Sequence, residues 1–282
     1  MTVSRRRLFG AAASVGMGGP LLAGGGMIPV SRALADEAPE TPGGAMSPFV
    51  DVRAFGARGD GVADDGPAIQ RAIDSLATQP EQNQAGGGTV SFPAGEFLVT
   101  RTIVLNHGVT LAGAGRKATM VRAAPGLAGA VIAFDRTGLP PSADRVTLRD
   151  LFVKGARVPG QTGLYLSNVH SWLVSDAWIG WCDTGVRLVA TWIGEFRNSR
   201  AKHNLGAGLV TAKSDDGGPH QIVFTASVFD ANDVGLELTG ARHCWLLGCS
   251  LEKNRLGGLR TSNVRNVTVL AHFEANGAFD IA

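Results

Sequence analysis

The chain has 282 residues, enough for one large domain or two small ones, with 39 glycines and a single tyrosine. Its formal charge of +2 is concentrated at the start: Arg5, Arg6, Arg7 and Arg32 precede residue 36 and no acidic residue does, leaving 22 basic against 24 acidic residues beyond them. That balance excludes the basic footprint of a nucleic-acid-binding protein.

Residues 1–35 read as an export signal. "SRRRLF" (Ser4 to Phe9) resembles the twin-arginine pattern, a Gly-rich weakly apolar run follows, and "ALA" (Ala33 to Ala35) offers a cleavage site before Asp36. The expectation is export through that pathway to the periplasm or medium. No stable membrane insertion is expected after cleavage, because no later apolar run is long enough to span a bilayer. Residues 36–48 are rich in Pro and Gly and read as a linker. Cys182, Cys244 and Cys249 lack the spacing of a metal knuckle and are expected to be buried, inert thiols.

In "VDVRAFGARGDGVADDGPAIQRAIDSL" (Val50 to Leu76), Pro67 suits a first helical turn, with Asp64 and Asp65 just upstream. Ile69, Ala72, Ile73 and Leu76 share one apolar face, so a helix is predicted from about Pro67 to Leu76. "GGGTVSFPAGEF" and "VTLAGAG" then give short strands punctuated by Gly and Pro. Together these segments resemble the opening of the pectate-lyase-like superfamily, in its rhamnogalacturonase/epimerase-like branch, also called pectate lyase family three. The resemblance covers about Phe49 to Arg122. It implies an all-β, single-stranded right-handed parallel β-helix over residues 49–282, capped at its N-terminal end by the short α-helix. It does not fix the reaction, because members include hydrolases, lyases and phage tailspikes.

The remaining chain repeats. An apolar anchor recurs at Leu148, Val174, Phe196, Phe224, Leu247 and Val269, at intervals of 26, 22, 28, 23 and 22 residues, a solenoid period. Each unit contains a second strand, usually led by Gly, whose inward column is read as Leu164, Val186, Leu209, Leu236, Leu259 and Phe279. Asn232, Asn254 and Asn276 recur at intervals of 22 in the turn between the two strands, where stacked amides can satisfy backbone groups.

The outward neighbours of that column are Tyr165, Arg187, Val210, Glu237, Arg260 and Asp280. The first strand's outward column reads Arg149, Ser175, Arg197, Thr225, Gly248 and Leu270. With coils about 4.8 Å apart, Arg260 would lie one rung from both Glu237 and Asp280. Inserted segments at 134–144, 212–221 and 154–161 flank the second strand and would raise the walls of a groove. Trp181 and Trp192 lie before and after the Arg187 strand, where they can stack on sugar rings. Asp215, Asp216 and His220 sit in the 212–221 loop.

Polygalacturonase-like relatives place catalytic carboxylates around Gly-hydrophobic-acid, which "VGLEL" matches at Glu237. The paired-acid strand, the Gly-His-Gly turn and the Arg-x-Lys pattern of those hydrolases are absent. Glu237 and Asp280, roughly 9 to 10 Å apart, border on the spacing of an inverting hydrolase. Arg260 between them argues against it, since a general acid must hold its proton. Elimination uses the arginines better, with Arg187 and Arg260 clamping a uronate carboxylate. The expected candidates are therefore Glu237, Asp280, Arg187 and Arg260 for catalysis, with Tyr165, Trp181, Trp192, Asp215, Asp216 and His220 for substrate.

The functional reading is an exported protein that hydrolyses or eliminates glycosidic bonds of an acidic, pectin-like polysaccharide. The alternatives are a non-catalytic glycan-binding β-helix of tailspike shape and, for the charged column, a solvated salt-bridge ladder. No cofactor or metal site is expected; calcium, which many pectate lyases need, has no supporting Asp/Glu cluster. The strand "AFDIA" at the end of the sequence is uncapped, which predicts self-association through the last coil.

Overall fold

The computed structural model describes residues 49–76, 87–137, 142–215 and 217–282 of the chain. The expected signal, cleavage site and linker, and Asp216, lie outside the described residues. The described strands run from Phe49–Asp51 to Phe279–Ile281 and are paired in parallel throughout. They form a parallel β-solenoid of about eight coils, the architecture that the repeat predicts.

Each coil carries three strands rather than two. Coil five is representative: Trp192–Arg197 lies on face one, Arg200–Lys202 on face two and Ala207–Ala212 on face three. Faces one and two belong to one sixteen-stranded sheet, and face three is an eight-stranded sheet. The face-two strands are only three residues long in the middle coils. In the sequence they merge with face one, because the bend between them takes only two residues. The first residue of the bend adopts the left-handed conformation at Asp150, Asp176, Asn198 and Ala226, as Gly248 does in the next coil. Its N–H still bonds the next coil, as from Asp176 N to Arg197 O at 3.1 Å, so the ladder continues through the bend.

Alternate residues of all three faces point into one continuous core. Leu164, Val186, Leu209, Leu236 and Leu259 stack in register on face three, each at most 1% exposed. Phe196 and Phe229 stack across the interior with ring centroids 5.5 Å apart. The glycine leading each face-three strand is required by close approach. A Cβ on Gly185 would meet Gly208 O at 2.4 Å, and one on Gly208 would meet Gly235 O at 2.5 Å.

The asparagine ladder is longer than its 22-residue recurrence suggests. Asn204 Nδ2 donates to Asn232 Oδ1 at 2.9 Å, Asn232 to Asn254 at 3.2 Å and Asn254 to Asn276 at 3.0 Å. Asn204 escapes the simple period because the 212–221 insertion stretches its interval to 28.

Register corrects three assignments. Phe224 pairs with Leu246, which is fully buried, and Leu246 pairs with Val269; Leu247 points outward and is 36% exposed. Thr225 therefore faces Leu247, not Gly248. A Leu-Leu pair ahead of a bulge gives the sequence two equivalent ways to continue the column. At the last coil, Leu259 pairs with Ile281 rather than Phe279.

The helix α1 spans Gly66–Asp74, with Pro67 in its first turn and Ser75 at its C-cap. Ile69, Ala72 and Ile73 are fully buried, and Leu76, just beyond, is 3% exposed. The acidic residues upstream tie down the entry loop instead of capping through Asp65. The Asp65 carboxylate accepts Arg58 N and Gly59 N at 2.6 and 3.0 Å, while Asp64 accepts the Thr100 hydroxyl at 2.6 Å. Gln70 Nε2 donates to Val104 O, and Val104 N to Gln70 Oε1, both at 2.9 Å. The Gln70 amide thus substitutes for a neighbouring strand at this edge of face three.

Candidate functional site

On face three the outward column runs Ala133, Tyr165, Arg187, Val210, Glu237 and Arg260 in register. Arg260 Nη1 lies 3.6 Å from Glu237 Oε2, with both side chains part-exposed. Asp280 does not join them. With Phe279 beside Gly257 and Ile281 beside Leu259, Asp280 falls level with Gly258, and its Oδ1 accepts Asn276 Nδ2 at 3.0 Å. Arg260 instead lies over the Phe279 ring at 5.4 Å. The expected two-carboxylate arrangement about Arg260 is therefore not formed. The phenylalanine that sequence alignment places in the core column sits two residues out of step.

The other candidates separate onto different edges. Trp192 and His220 occupy consecutive rungs where face three turns into face one. Trp192 packs on His170 with centroids 4.8 Å apart, and His220 packs on His243 at the same distance. Burial, then the nearby His243, draws His220 below the ordinary imidazole range. Asp215 is exposed in a tight turn closed by Ser214 N to Gly217 O at 2.9 Å. Trp181 points to the opposite side, onto face two.

Face two gathers residues that the sequence does not single out. Phe152, Trp178 and Arg200 occupy successive rungs of one outward column; Lys154, Gly180, Lys202 and Asp230 occupy those of the next. Lys202 Nζ stands 3.9 Å from the Trp178 ring centroid and 5.1 Å from that of Trp181. Lys154 Nζ is 5.8 Å from Trp181; Arg116 Cζ and Lys117 Nζ are 5.8 and 6.0 Å from Trp178. Trp181 also packs on His203, at 4.7 Å. Gly180 leaves a gap between Lys154 and Lys202, and a Cβ there would meet Lys202 O at 2.1 Å.

Two segments border this floor. Arg116 reaches over three coils from the face-one bend to donate to Asn198 O at 2.7 Å. On the other side, segment 154–161 follows the face-two strand, so it flanks face two as much as face three. Here Ala156 N donates to Gln161 Oε1 at 2.8 Å, and Gly160 N to Asp183 Oδ2 at 2.8 Å.

The electrostatics of this surface are one-sided. Asp230 is its acidic member, 3.4 Å from Arg200 Nε. Burial first, then the charges of Arg200 and Lys117, draws the Lys202 ammonium below the ordinary lysine range, with Asp230 opposing. Burial, reinforced by Lys202, Arg157 and Arg200 against Asp230, likewise holds His203 below the usual imidazole range. The surface can therefore present aromatic rings and fixed cations to an anionic ligand. The signal in the sequence was the "WIGW" segment, Trp178 to Trp181, together with the triplets 152–154, 178–180, 200–202 and 228–230. Stacked as one face, these triplets expose the aromatic and basic columns.

The cysteines are buried and free. Burial pushes Cys182 up to about 12 and Cys244 to about 11, so neither is a thiolate at neutral pH. Among the described residues, no group of three or more His, Cys, Asp or Glu side chains is arranged to hold a metal ion. No helix among them is long and apolar enough to cross a membrane.

Residues 49–139 match the family described as rhamnogalacturonase A/epimerase, pectate lyase-like. This match and the parallel solenoid both fit a pectate-lyase-like β-helix. Mannuronan C5-epimerase AlgE4 of Azotobacter vinelandii is 37% identical over 114 residues, which is 38% of this chain and 20% of that protein. Alginate lyase 7 of the same organism is 37% identical over 83 residues, 27% of this chain and 9% of its own length. The matched part is thus a fifth or less of either relative. Among solved structures, ORF18 of Geobacillus virus E2 superposes with a TM-score of 0.63 at 19% identity, covering 82% of this chain and 59% of that one. That likeness concerns the fold alone.

Proposed function

We propose that the protein binds an acidic, uronate-bearing polysaccharide along face two and acts on the proton at C5 of a bound uronate. The observation that carries this reading is the surface itself. Four cationic groups lie within 3.9 to 6.0 Å of the Trp178 or Trp181 ring. Unpaired like charges held together cost stability, and an anionic ligand relieves that cost. The two indoles are half-buried, and their accessible edges suit the apolar face of a sugar ring.

The chemistry follows from the charges. Hydrolysis needs two available carboxylates, one of them protonated. Asp230 is paired with Arg200, and Glu237 with Arg260. Removal of a C5 proton, next to the uronate carboxylate, needs instead a base and cations that stabilise the resulting charge. Neutral His203 is the base in this reading; Lys202, Arg200 and Lys154 face the carboxylate. Returning the proton from the opposite side inverts C5, whereas expelling the C4 oxygen cleaves the chain. The names of the two Azotobacter vinelandii relatives, an epimerase of mannuronan and a lyase of alginate, support this class of step.

Incubation with polymannuronate and polygalacturonate in D2O tests the reading. Deuterium at C5 marks epimerisation and an unsaturated, ultraviolet-absorbing product marks elimination. Binding with neither product supports the tailspike-like alternative of a glycan-binding β-helix. Absence of binding to any acidic polymer overturns the proposal. Export by the twin-arginine route is proposed separately, on Arg5 and Arg6; replacing both with Lys should abolish translocation, and normal export of that variant would refute it.

A further inference from the structure

Face two changes sign along its length. One outward column runs in register through Lys154, Gly180, Lys202, Asp230, Glu252 and Glu274. Two lysines occupy its first half and three carboxylates its second. Like charges on neighbouring strands oppose the fold modestly, and the last two carboxylates make only weak ion pairs. Glu252 lies 4.0 Å from Lys253, at the outer limit of an ion pair. Glu274 lies 3.3 Å from His272, an imidazole that is cationic only when protonated.

The relief of the face follows the same division. On the basic half Arg116 and Lys117 rise above Trp178, and the 154–161 segment flanks the floor. On the acidic half Asp230, Glu252 and Glu274 follow one another at intervals of 22 residues. These coils carry no inserted segment, so this half has no raised wall.

We infer that face two docks a second copy of this chain, antiparallel, about a two-fold axis lying along the strands between the Lys202 and Asp230 rungs. That axis reverses the order of the rungs and keeps each column opposite itself. Lys154 then meets Glu274 of the second copy. The Arg116 and Lys117 rise, above the Trp178 rung, meets the rung of Glu252. Lys202 and Asp230 lie nearest the axis but are largely buried, so they contribute field rather than contact. A two-fold axis parallel to the solenoid would set lysine on lysine and glutamate on glutamate. Charge therefore selects the antiparallel order.

The contact is small. Six rungs span about 24 Å, and three-residue strands make a floor about 10 Å wide. That is well below the roughly 800 Å² that each partner buries in a stable complex, so the dimer is reversible and sensitive to salt. It does not rest on the polysaccharide reading; where that reading also holds, polymer and second copy compete for face two.

Sedimentation velocity with no glycan present tests the dimer apart from that reading. The sedimentation coefficient should rise with protein concentration at about 0.01 M salt, where charges act over about 30 Å, and stay monomeric at about 1 M, where they act over about 3 Å. Lys154→Glu and Glu274→Lys, both on the outward surface, should each weaken dimerisation about tenfold or more. An equimolar mixture of the two variants sets opposite charges across the axis again, and should dimerise where neither does alone. A protein that stays monomeric at low salt up to its solubility limit overturns the proposal. So does a dimer that either variant leaves intact, or that the mixture fails to restore. Association that persists at high salt and in both variants belongs to another surface and equally refutes it.

Discussion

Faces two and three are built from the same rungs, yet their outward charges are arranged by opposite rules. On face three, Glu237 and Arg260 are neighbours of opposite sign, 3.6 Å apart. Such a pair satisfies itself and contributes modestly to stability, roughly 0–1 kcal/mol when exposed. On face two, Lys154 and Lys202 lie in one column on either side of Gly180, and Arg116 and Lys117 arch above the Trp178 indole, while the carboxylate of Asp230 pairs with Arg200 and leaves these four cations without an acidic partner of their own. The paired column reads as structure; the unpaired one reads as a place for something absent from the chain.

The sharpest way to break this contrast is to alter face two. Trp178→Ala and His203→Gln should each reduce turnover of a polyuronate, the second by about 100-fold or more, the scale of losing a positioned acid or base, read as C5 deuteration or unsaturated product. Retained turnover in both would move the site elsewhere. The architecture beneath predicts a large effect of a different kind. Asn232→Ala strips hydrogen bonds from Asn204, Ala201 and Asn254 in a buried stack. It should cost about 2–4 kcal/mol, as unsatisfied buried groups do, measured by urea unfolding.

Lys202 gives a pH signature. Its folded pKa lies below its unfolded value, so the unfolded chain binds more protons between the two. Stability therefore rises with pH through that window, up to about 10.4. Lys202→Met should flatten that part of the profile, and an unaltered slope would remove the argument. The smallest effect belongs to face three: Glu237→Gln should change stability by less than about 1 kcal/mol and leave turnover within twofold or so. A hundredfold loss in that variant would restore Glu237 as a catalytic group.

The sequence made the solenoid legible because its period is carried by core residues that have no other task. Leu164, Val186, Leu209, Leu236 and Leu259 are read correctly, as are the glycines before them and the asparagines Asn232, Asn254 and Asn276. The third strand of each coil is not legible, since three residues between two bends show no alternation of their own. That loss conceals the face-two columns, so Trp178, Lys202 and Lys154 pass as parts of a longer strand or loop. Phe279 misleads for a different reason. Gly257 leaves room for its ring, and a Cβ at Gly257 would fall 2.0 Å from Phe279 Cε2, so it packs beside the glycine and takes Asp280 out of the Glu237 column. A segment count can locate a rung, but not a two-residue slip along it.

Whether the excess positive charge of face two serves a ligand is decided by measuring stability and affinity together in one variant. Lys202→Gln removes an ammonium from among Arg200, Lys117 and the two indoles. This variant should be at least as stable as the parent at neutral pH, by thermal unfolding, and should bind polymannuronate or polygalacturonate at least about tenfold more weakly at low salt. A variant that loses stability while binding as tightly as the parent would mean that Lys202 serves the fold, and that face two is not the ligand surface.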